Sequence, residues 1–216
     1  MIIIDYNGIA VGNVITQRLD LQEDLIRHMI LNTIRMYNVK FKDNYGPEVV
    51  IALEGGSWRK DYFPQYKANR KKSRDKDTMD WDKLYEIINK VTDEIKENFP
   101  YKVIKVDKAE ADDIIGTLAK DGDKNDIDVY IVSGDKDFMQ LMNEHIFLYT
   151  PGRRGESPTI YDHDGVVDRW GVPPDKIIDL LGLMGDSSDN VPGVAGVGPK
   201  TAVKLIKKYG SLEASL

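Results

Sequence analysis

The chain has no cysteine, only three histidines, and no apolar run that approaches the length of a membrane span. Without cysteine there is neither a disulfide framework nor a thiolate metal site, so a metal must be held by oxygen or by those few histidines, and hard cations are favoured. His28, His145 and His163 are scattered and match no metal-binding or triad spacing, which reads as surface or packing roles. A bilayer span needs roughly 18 to 20 consecutive apolar residues. None is present, and Met1 to Asp5 carries neither a charged leader nor a cleavage site, so the chain reads as soluble and intracellular. A glycine-rich loop ending in Lys-Ser/Thr is missing as well, and Gly55-Gly56 is not one, so ATP use finds no support. What is present is 216 residues, 41% of them hydrophobic, enough to bury one good core.

A net charge of −6 argues at first against a polyanionic partner, because nucleic-acid affinity comes largely from Lys and Arg neutralising phosphates. The distribution reverses that reading. Trp58 to Lys76 holds Arg59, Lys60, Lys67, Arg70, Lys71, Lys72, Arg74 and Lys76 against only Asp61 and Asp75, a local balance of +6. Gly196 to Lys208 adds Lys200, Lys204, Lys207 and Lys208 with no acid. Setting aside nine carboxylates that read as metal ligands leaves the rest of the chain at +3.

Short β-branched runs alternate with longer amphipathic ones. Met1–Ile4, Glu48–Leu53, Lys102–Val106 and Asp128–Val132 read as buried strands, with helices around Leu19–Val39, Trp81–Glu97, Ala109–Lys120 and Lys136–Asn143. This alternation predicts an α/β fold with a mostly parallel central sheet and helices on both faces. A fifth strand at Ile146–Tyr149 leads through a turn-rich segment to a hairpin return at Thr159–Tyr161. From Asp164 the strand signals stop, and Val166–Trp170, Lys176–Met184 and Lys200–Tyr209 read as a small helical module.

The acids fall where such a sheet would gather them. Asp5 closes the first strand, Glu54 follows the second, Glu110, Asp112 and Asp113 follow the third at a helix start, and Asp135 and Asp137 follow the fourth. Groups beyond the carboxyl ends of parallel strands converge on one crevice. Asp186 and Asp189 stand in a later loop, Gly185 to Asn190. A single acid at a strand end is most often a cap or turn residue, and acids at a helix start suit its dipole. Four strand ends sending acids to one edge are harder to explain as capping. So many carboxylates would repel one another by several kcal/mol unless cations neutralised them. Oxygen-only ligation favours Mg²⁺ or Mn²⁺, and two such ions roughly 4 Å apart suit in-line attack on a phosphodiester.

Four motifs then carry a resemblance: Glu-Ala-Asp-Asp (110 to 113), Ser-Gly-Asp-Lys-Asp-Phe (133 to 138), Gly-Asp-Ser-Ser-Asp-Asn-Val-Pro-Gly-Val (185 to 194) and Gly-Val-Gly-Pro-Lys-Thr-Ala (196 to 202). In this order they resemble the 5′-nuclease family, with its PIN-like catalytic domain, which includes flap endonucleases, the 5′-nuclease domain of bacterial DNA polymerase I, and phage 5′-exonucleases and T-even-type ribonuclease H. The phage members are nearest in character, through Trp58-Arg59-Lys60-Asp61-Tyr62 followed by Tyr66-Lys67-Ala68-Asn69-Arg70.

The resemblance implies a PIN-like 5′-nuclease domain over residues 1–162, with a helical arch at about 60–81, and a helix–hairpin–helix DNA-binding module over 163–216. It implies two metal clusters, Asp5, Glu54, Glu110 and Asp112 in one and Asp113, Asp135, Asp137, Asp186 and Asp189 in the other. Lys67 and Arg70 would contact the scissile phosphate, with Arg59, Lys60, Lys71 and Lys72 adding charge and Tyr66 either stacking on a terminal base or packing in the core. Trp58, beside the basic run, reads as an anchor of the arch base in preference to a contact with nucleic acid, and Trp81 and Trp170 read as packing their helices. In the hairpin, Gly196 and Gly198 let backbone amides approach a phosphate, the following helix start with Thr201 reinforces the attraction, and Lys200 and Lys204 add charge. Hairpin carbonyls in the family can hold K⁺.

The implied function is a structure-selective, sequence-independent 5′-3′ exonuclease or flap endonuclease, with ribonuclease H activity within its range. It would remove 5′ flaps or RNA primers during replication, in a bacterial or phage-infected cytoplasm. The implied partners are DNA with 5′ flaps or ends, RNA–DNA hybrids, and single-strand-binding or other replication proteins, with the enzyme itself a monomer. Two other readings compete: a junction-binding protein with a decayed site, against which the full acid set argues, and a PIN-type ribonuclease, which should lack the basic arch and the glycine hairpin. Two departures stand out. The family usually has Asp where Glu54 stands, so the Gly55-Gly56-Ser57 loop must accommodate a longer side chain. Relatives also usually continue with further helices, so the chain reads as a compact member or as one lacking a C-terminal portion.

Overall fold

The computed structural model describes residues 1–17, 21–46, 48–74, 77–152 and 155–215. In chain order its elements are β1 (Ile2–Asp5), α1 (Tyr6–Gln17), α2 (Glu23–Tyr45), β2 (Val49–Leu53), α3 (Arg59–Tyr62), α4 (Ala68–Arg74), α5 (Trp81–Asn98), β3 (Lys102–Lys105), α6 (Ala111–Lys124), β4 (Val129–Val132), β5 (Ile146–Thr150), β6 (Thr159–Tyr161), α7 (His163–Trp170), α8 (Ile177–Met184) and α9 (Pro199–Tyr209). The strands form one sheet in the order β3-β2-β1-β4-β5-β6. All neighbours run parallel except the β5–β6 hairpin.

Both faces of the sheet's centre are covered, which is why β1, β2 and β4 are near-continuous apolar runs, whereas β3, expected to be a buried strand, is an edge strand with Lys102 and Lys105 exposed. Ile2, Ile4, Val49 and Ile51 pack on one side with residues of α1, α2 and α5. Ile3, Val50, Ala52 and Ile131 pack on the other with α6 and with Val166, Ile177, Leu180, Ala202 and Ile206 of the C-terminal helices. The C-terminal segment therefore shares one apolar cluster with the sheet. Among the described residues no helix is long and apolar enough to cross a membrane.

Several expectations about elements change, among them the bounds of α6, which runs Ala111–Lys124, and of α7, which starts at His163. Tyr6–Gln17 is a helix that the pattern did not indicate: two glycines and the β-branched Ile9, Val11, Val14, Ile15 and Thr16 weaken its propensity, and burial of Ile9, Ala10 and Val14 overrides that weakness. The next helix begins at Glu23, with acids in its first turn, and runs six residues past Val39 because Phe41 packs between Tyr130 and Tyr149; Leu19 lies outside the described residues. Lys136–Leu141 is a 3₁₀ helix capped by the Asp135 side chain rather than an α-helix reaching Asn143.

Candidate metal centre and nucleic-acid interface

The strand order reverses between β1 and β4, and in an open α/β sheet the ligand crevice lies at that switch point, beyond the carboxyl ends of the strands. Asp5 ends β1 there, and Ser133-Gly134-Asp135 leave β4 there. Ser133, fully buried, joins the two: its hydroxyl donates to Asp5 Oδ2 at 2.7 Å and accepts from the Asp135 backbone N–H at 3.0 Å. Asp5 also accepts from the Gly8 N–H at 3.2 Å, and a Cβ on Gly8 would lie 2.6 Å from its carboxylate. Burial raises the Asp5 pKa, and the nearby Asp135 charge raises it further.

Glu54 follows β2 and accepts from the Ala111 N–H at the start of α6, at 3.4 Å. The loop brings it there because Gly55 exchanges backbone hydrogen bonds with Ala109 and Lys108, so tightly that a Cβ on Gly55 would lie 1.8 Å from the Val106 carbonyl oxygen. Desolvation raises the Glu54 carboxyl, with the charges of Glu110 and Asp5 adding to it. Asp112 is the most perturbed acid: burial, then Asp135, Asp5 and Glu54, push it up to about 7. Asp5, Glu54, Asp112 and Asp135 thus act on one another across the crevice. Asp137 is raised by burial and by Asp135.

The remaining acids are engaged by cations. Buried Glu110 accepts from Lys67 Nζ at 2.7 Å, from Arg59 at 3.0 Å and from the Tyr66 hydroxyl at 2.9 Å. Asp113, grouped by resemblance with Asp135 and Asp137, turns instead to Arg59, whose guanidinium donates two bonds of 2.9 Å and holds the carboxyl below its usual range. Lys136 bridges Asp137 and Asp186. Burial alone would push Asp186 up; hydrogen bonds from Lys136 and Ser188 outweigh it and hold the group at about 2. Asp189 accepts from Tyr66 and from Arg70, each at 3.1 Å. As the side chains stand, no three acids or histidines among the described residues close into a cage for one ion. Lys67, Arg59, Arg70 and Lys136 supply the compensating positive charge. The donor set nonetheless fits a hard divalent cation: it is all oxygen, and burial together with the charges of Asp135, Asp5 and Glu54 disfavours an uncompensated Asp112 carboxylate.

Several expected nucleic-acid contacts look different in place. Tyr66 is buried with its hydroxyl bonded to Glu110 and Asp189, so its ring is not offered to a base. Arg59 is committed to two acids and lies over the Trp58 ring at 4.8 Å. Trp58 is no core anchor: it is 45% exposed, edge-to-face with the exposed Tyr62. Lys60 and Arg70 are exposed; the side chains of Lys71 and Lys72 lie outside the described ones. Trp81 and Trp170 are partly buried against the two apolar clusters. Gly196, at φ +79°, and Gly198 stand in the open, where a Cβ would meet nothing, and they precede α9 with exposed Lys200, Thr201 and Lys204. The histidines keep to other partners: His28 contacts Asn32, His145 contacts Asp128 and His163 contacts Asp164. Ser133, Gly8 and Lys136 shape the site without having been singled out as site residues, and Ser133 and Lys136 lie inside the quoted motifs.

Comparison with known proteins bears on this geometry. Residues 3–171 match the family described as 5′-3′ exonuclease, N-terminal resolvase-like domain, and 172–216 match 5′-3′ exonuclease, C-terminal SAM fold. DNA polymerase I of Rhizobium leguminosarum is 38% identical over 168 residues, 78% of this chain and 15% of that protein. DNA polymerase I of Bacillus subtilis is 34% identical over 177 residues, 81% of this chain and 19% of that protein. The chain thus spans less than a fifth of the length of these relatives. A bacteriophage T5 flap endonuclease solved with DNA and metal ions superposes with a TM-score of 0.82 at 20% identity, covering 99% of this chain and 76% of that one. The catalytic core of Rad2 in complex with a DNA substrate gives 0.59 at 18%, covering 99% and 62%. At such identities these likenesses establish the fold, a mostly parallel sheet with a C-terminal helical module. With both family descriptions matched across 3–216, the chain belongs to the 5′-3′ exonuclease family.

Proposed function

We propose that the chain is a structure-selective, sequence-independent 5′-3′ exonuclease and flap endonuclease acting on 5′ flaps and RNA primers. The observation that carries this reading is the gathering of Asp5, Glu54, Asp112 and Asp135 at the switch point, where burial first and then the charges of Asp135, Asp5 and Glu54 push Asp112 up to about 7, a cost that a bound cation would relieve. These four with Glu110, and Asp113, Asp137, Asp186 and Asp189 beside them, would hold two Mg²⁺ or Mn²⁺ ions. When bound, such ions activate water and offset charge on the attacking and leaving oxygens of an in-line displacement. The chain's own groups do the rest. Lys67 and Arg70, already turned towards Glu110 and Asp189, exchange these acids for the scissile phosphate and fix its orientation. Ser133 keeps Asp5 and Asp135 in register.

The open glycine hairpin and the first turn of α9 grip the duplex backbone, and K⁺ on hairpin carbonyls would strengthen that grip. The working division is a catalytic part over 1–162, with the arch at about 60–81, and a duplex-binding part over 163–216. The protein acts as a monomer in a bacterial or phage-infected cytoplasm, on RNA–DNA hybrids as well as DNA, alongside single-strand-binding and other replication proteins.

The test is direct. Chelator-treated protein resupplied with Mg²⁺ should release short products from a 5′-labelled flap or an RNA-primed duplex. Asp135→Asn should abolish release while leaving binding intact or tighter, since it weakens cation binding and lowers repulsion of phosphate. Tight binding with unchanged substrate in the wild type would instead identify a junction-binding protein.

A further inference from the structure

Lys67 and Arg70 lie on a segment with little core of its own: α3 has no buried residue, and of residues 65–70 only Tyr66 is buried. Lys67 is also in a left-handed conformation, φ +54°, which costs a non-glycine residue on the order of 1 kcal/mol. Something outside the segment must hold it. The structure shows five hydrogen bonds crossing from residues 65–70 to residues 189–190. Lys67 N–H donates to Asp189 O at 3.1 Å, and Tyr66 and Arg70 donate to the Asp189 carboxylate at 3.1 Å each. The Asn190 amide supplies the other two, donating to Gln65 O at 2.9 Å and accepting from Asn69 Nδ2 at 3.0 Å.

The loop that carries Asn190 is itself firmly placed. Asp186 and Val191 exchange backbone bonds of 2.9 and 2.8 Å, and Gly185 and Gly193 approach so closely that a Cβ on either would lie about 2.4 Å or less from backbone of the other's strand of chain. Asn190 holds φ +61°, a conformation asparagine tolerates better than most residues. Two of the three Asp189 contacts, those from Tyr66 and Arg70, depend on a carboxylate that is also a candidate metal ligand, so they would be redistributed when a cation is held, while the Lys67 N–H bond goes to the Asp189 backbone carbonyl. The Asn190 contacts involve no charge and survive that change.

We propose that Asn190 is a positioning residue: its amide locks the start of α4 to the loop ahead of the glycine hairpin, so that Lys67 and Arg70 are held at the crevice by the element that grips the duplex. The clamp makes phosphate positioning and duplex binding parts of one rigid unit. Its effect on rate rests on the proposed nuclease reading; its effect on the arch does not.

The experiment uses the full chain with Asn190→Gly, which removes the amide while keeping the left-handed backbone unstrained, together with Asn69→Ala and the double variant. In the chelated proteins, trypsin should cleave within residues 67–74 several-fold faster in Asn190→Gly than in wild type. On a flap substrate with Mg²⁺, its single-turnover rate should fall about tenfold while duplex affinity in Ca²⁺ stays within about twofold. The double variant should be no slower than Asn190→Gly alone, because Asn69 acts through the same contact. Wild-type proteolysis and rate in Asn190→Gly, independent effects of the two substitutions, or an equal loss of rate and duplex affinity would each overturn the proposal. A wild type that does not cleave would sink the nuclease reading, and the trypsin comparison would still decide the clamp.

Discussion

Asp112 carries the clearest consequence of crowding acids in one place. Its pKa rises from the ordinary carboxylate range to about 7 because burial, then Asp135, Asp5 and Glu54, oppose its charge. Below about pH 4 the group is protonated in both the folded and unfolded chain; between about 4 and 7 only the folded chain keeps the proton. Folding stability contributed by this group is therefore full at low pH and is lost as pH rises through that window. In chelated protein, Asp112→Asn should be more stable than wild type at pH 8, by about 1–3 kcal/mol after allowance for solvent screening, and no more stable at pH 4. Thermal unfolding at the two pH values reads this out, and a wild type as stable as the variant at pH 8 would contradict it. Gly55 matters for a different reason. Gly55→Ala would drive a Cβ to 1.8 Å from the Val106 carbonyl oxygen, with rigid backbone on both sides. A loss of about 2–4 kcal/mol in urea unfolding is expected, and an unchanged midpoint would show that the loop yields.

Among elements, the segment from α3 to α4 sets its cations, Arg59, Lys67 and Arg70, against the acids Glu110, Asp113 and Asp189. The Lys67–Glu110 pair is well shielded, with side-chain exposures of 11% and 5%, so its Coulomb attraction is little screened by solvent. Lys67→Ala leaves Glu110 with Arg59 and Tyr66 for partners, so the fold should survive. Cleavage should slow by about a hundredfold or more while duplex affinity changes less than about threefold; equal losses in rate and binding would argue against a role in the transition state. The central strands β1, β2 and β4 were legible because parallel strands buried on both faces are near-continuous apolar runs, while the exposed hairpin strand β6, which matches its expected Thr159–Tyr161 bounds, was marked by the turn residues before it. Tyr6–Gln17 was not legible, because its helix exists through packing rather than propensity. The bounds of Glu23–Tyr45 depended on Phe41 finding Tyr130 and Tyr149, partners about ninety and more residues away.

At the scale of the whole molecule, the same limit explains what was and was not visible in the site. That Asp5, Glu54, Asp112 and Asp135 would share a crevice followed from their places at strand ends. That Asp113 would turn to Arg59, Tyr66 be buried under Glu110 and Asp189, and Trp58 stay exposed depended on how the segment after β2 crosses the start of α6, which no local pattern encodes. The proposed reading must also reconcile a net charge of −6 with a polyanionic partner. Acids are concentrated in the crevice, while Lys200 and Lys204 stand exposed on α9 beside the open glycines. Contacts of this kind neutralise phosphates without reading bases, so log affinity should fall linearly with log salt, with a slope of about −0.9 for each phosphate contact. Lys200→Ala with Lys204→Ala should make the slope shallower by about 2 and weaken binding equally on duplexes of different sequence. Titrations on two unrelated duplexes at several salt concentrations, in Ca²⁺ to suppress cleavage, give both quantities. A slope unchanged by the double substitution would move the duplex grip away from α9, and a sequence-dependent loss would mean that these lysines read base edges.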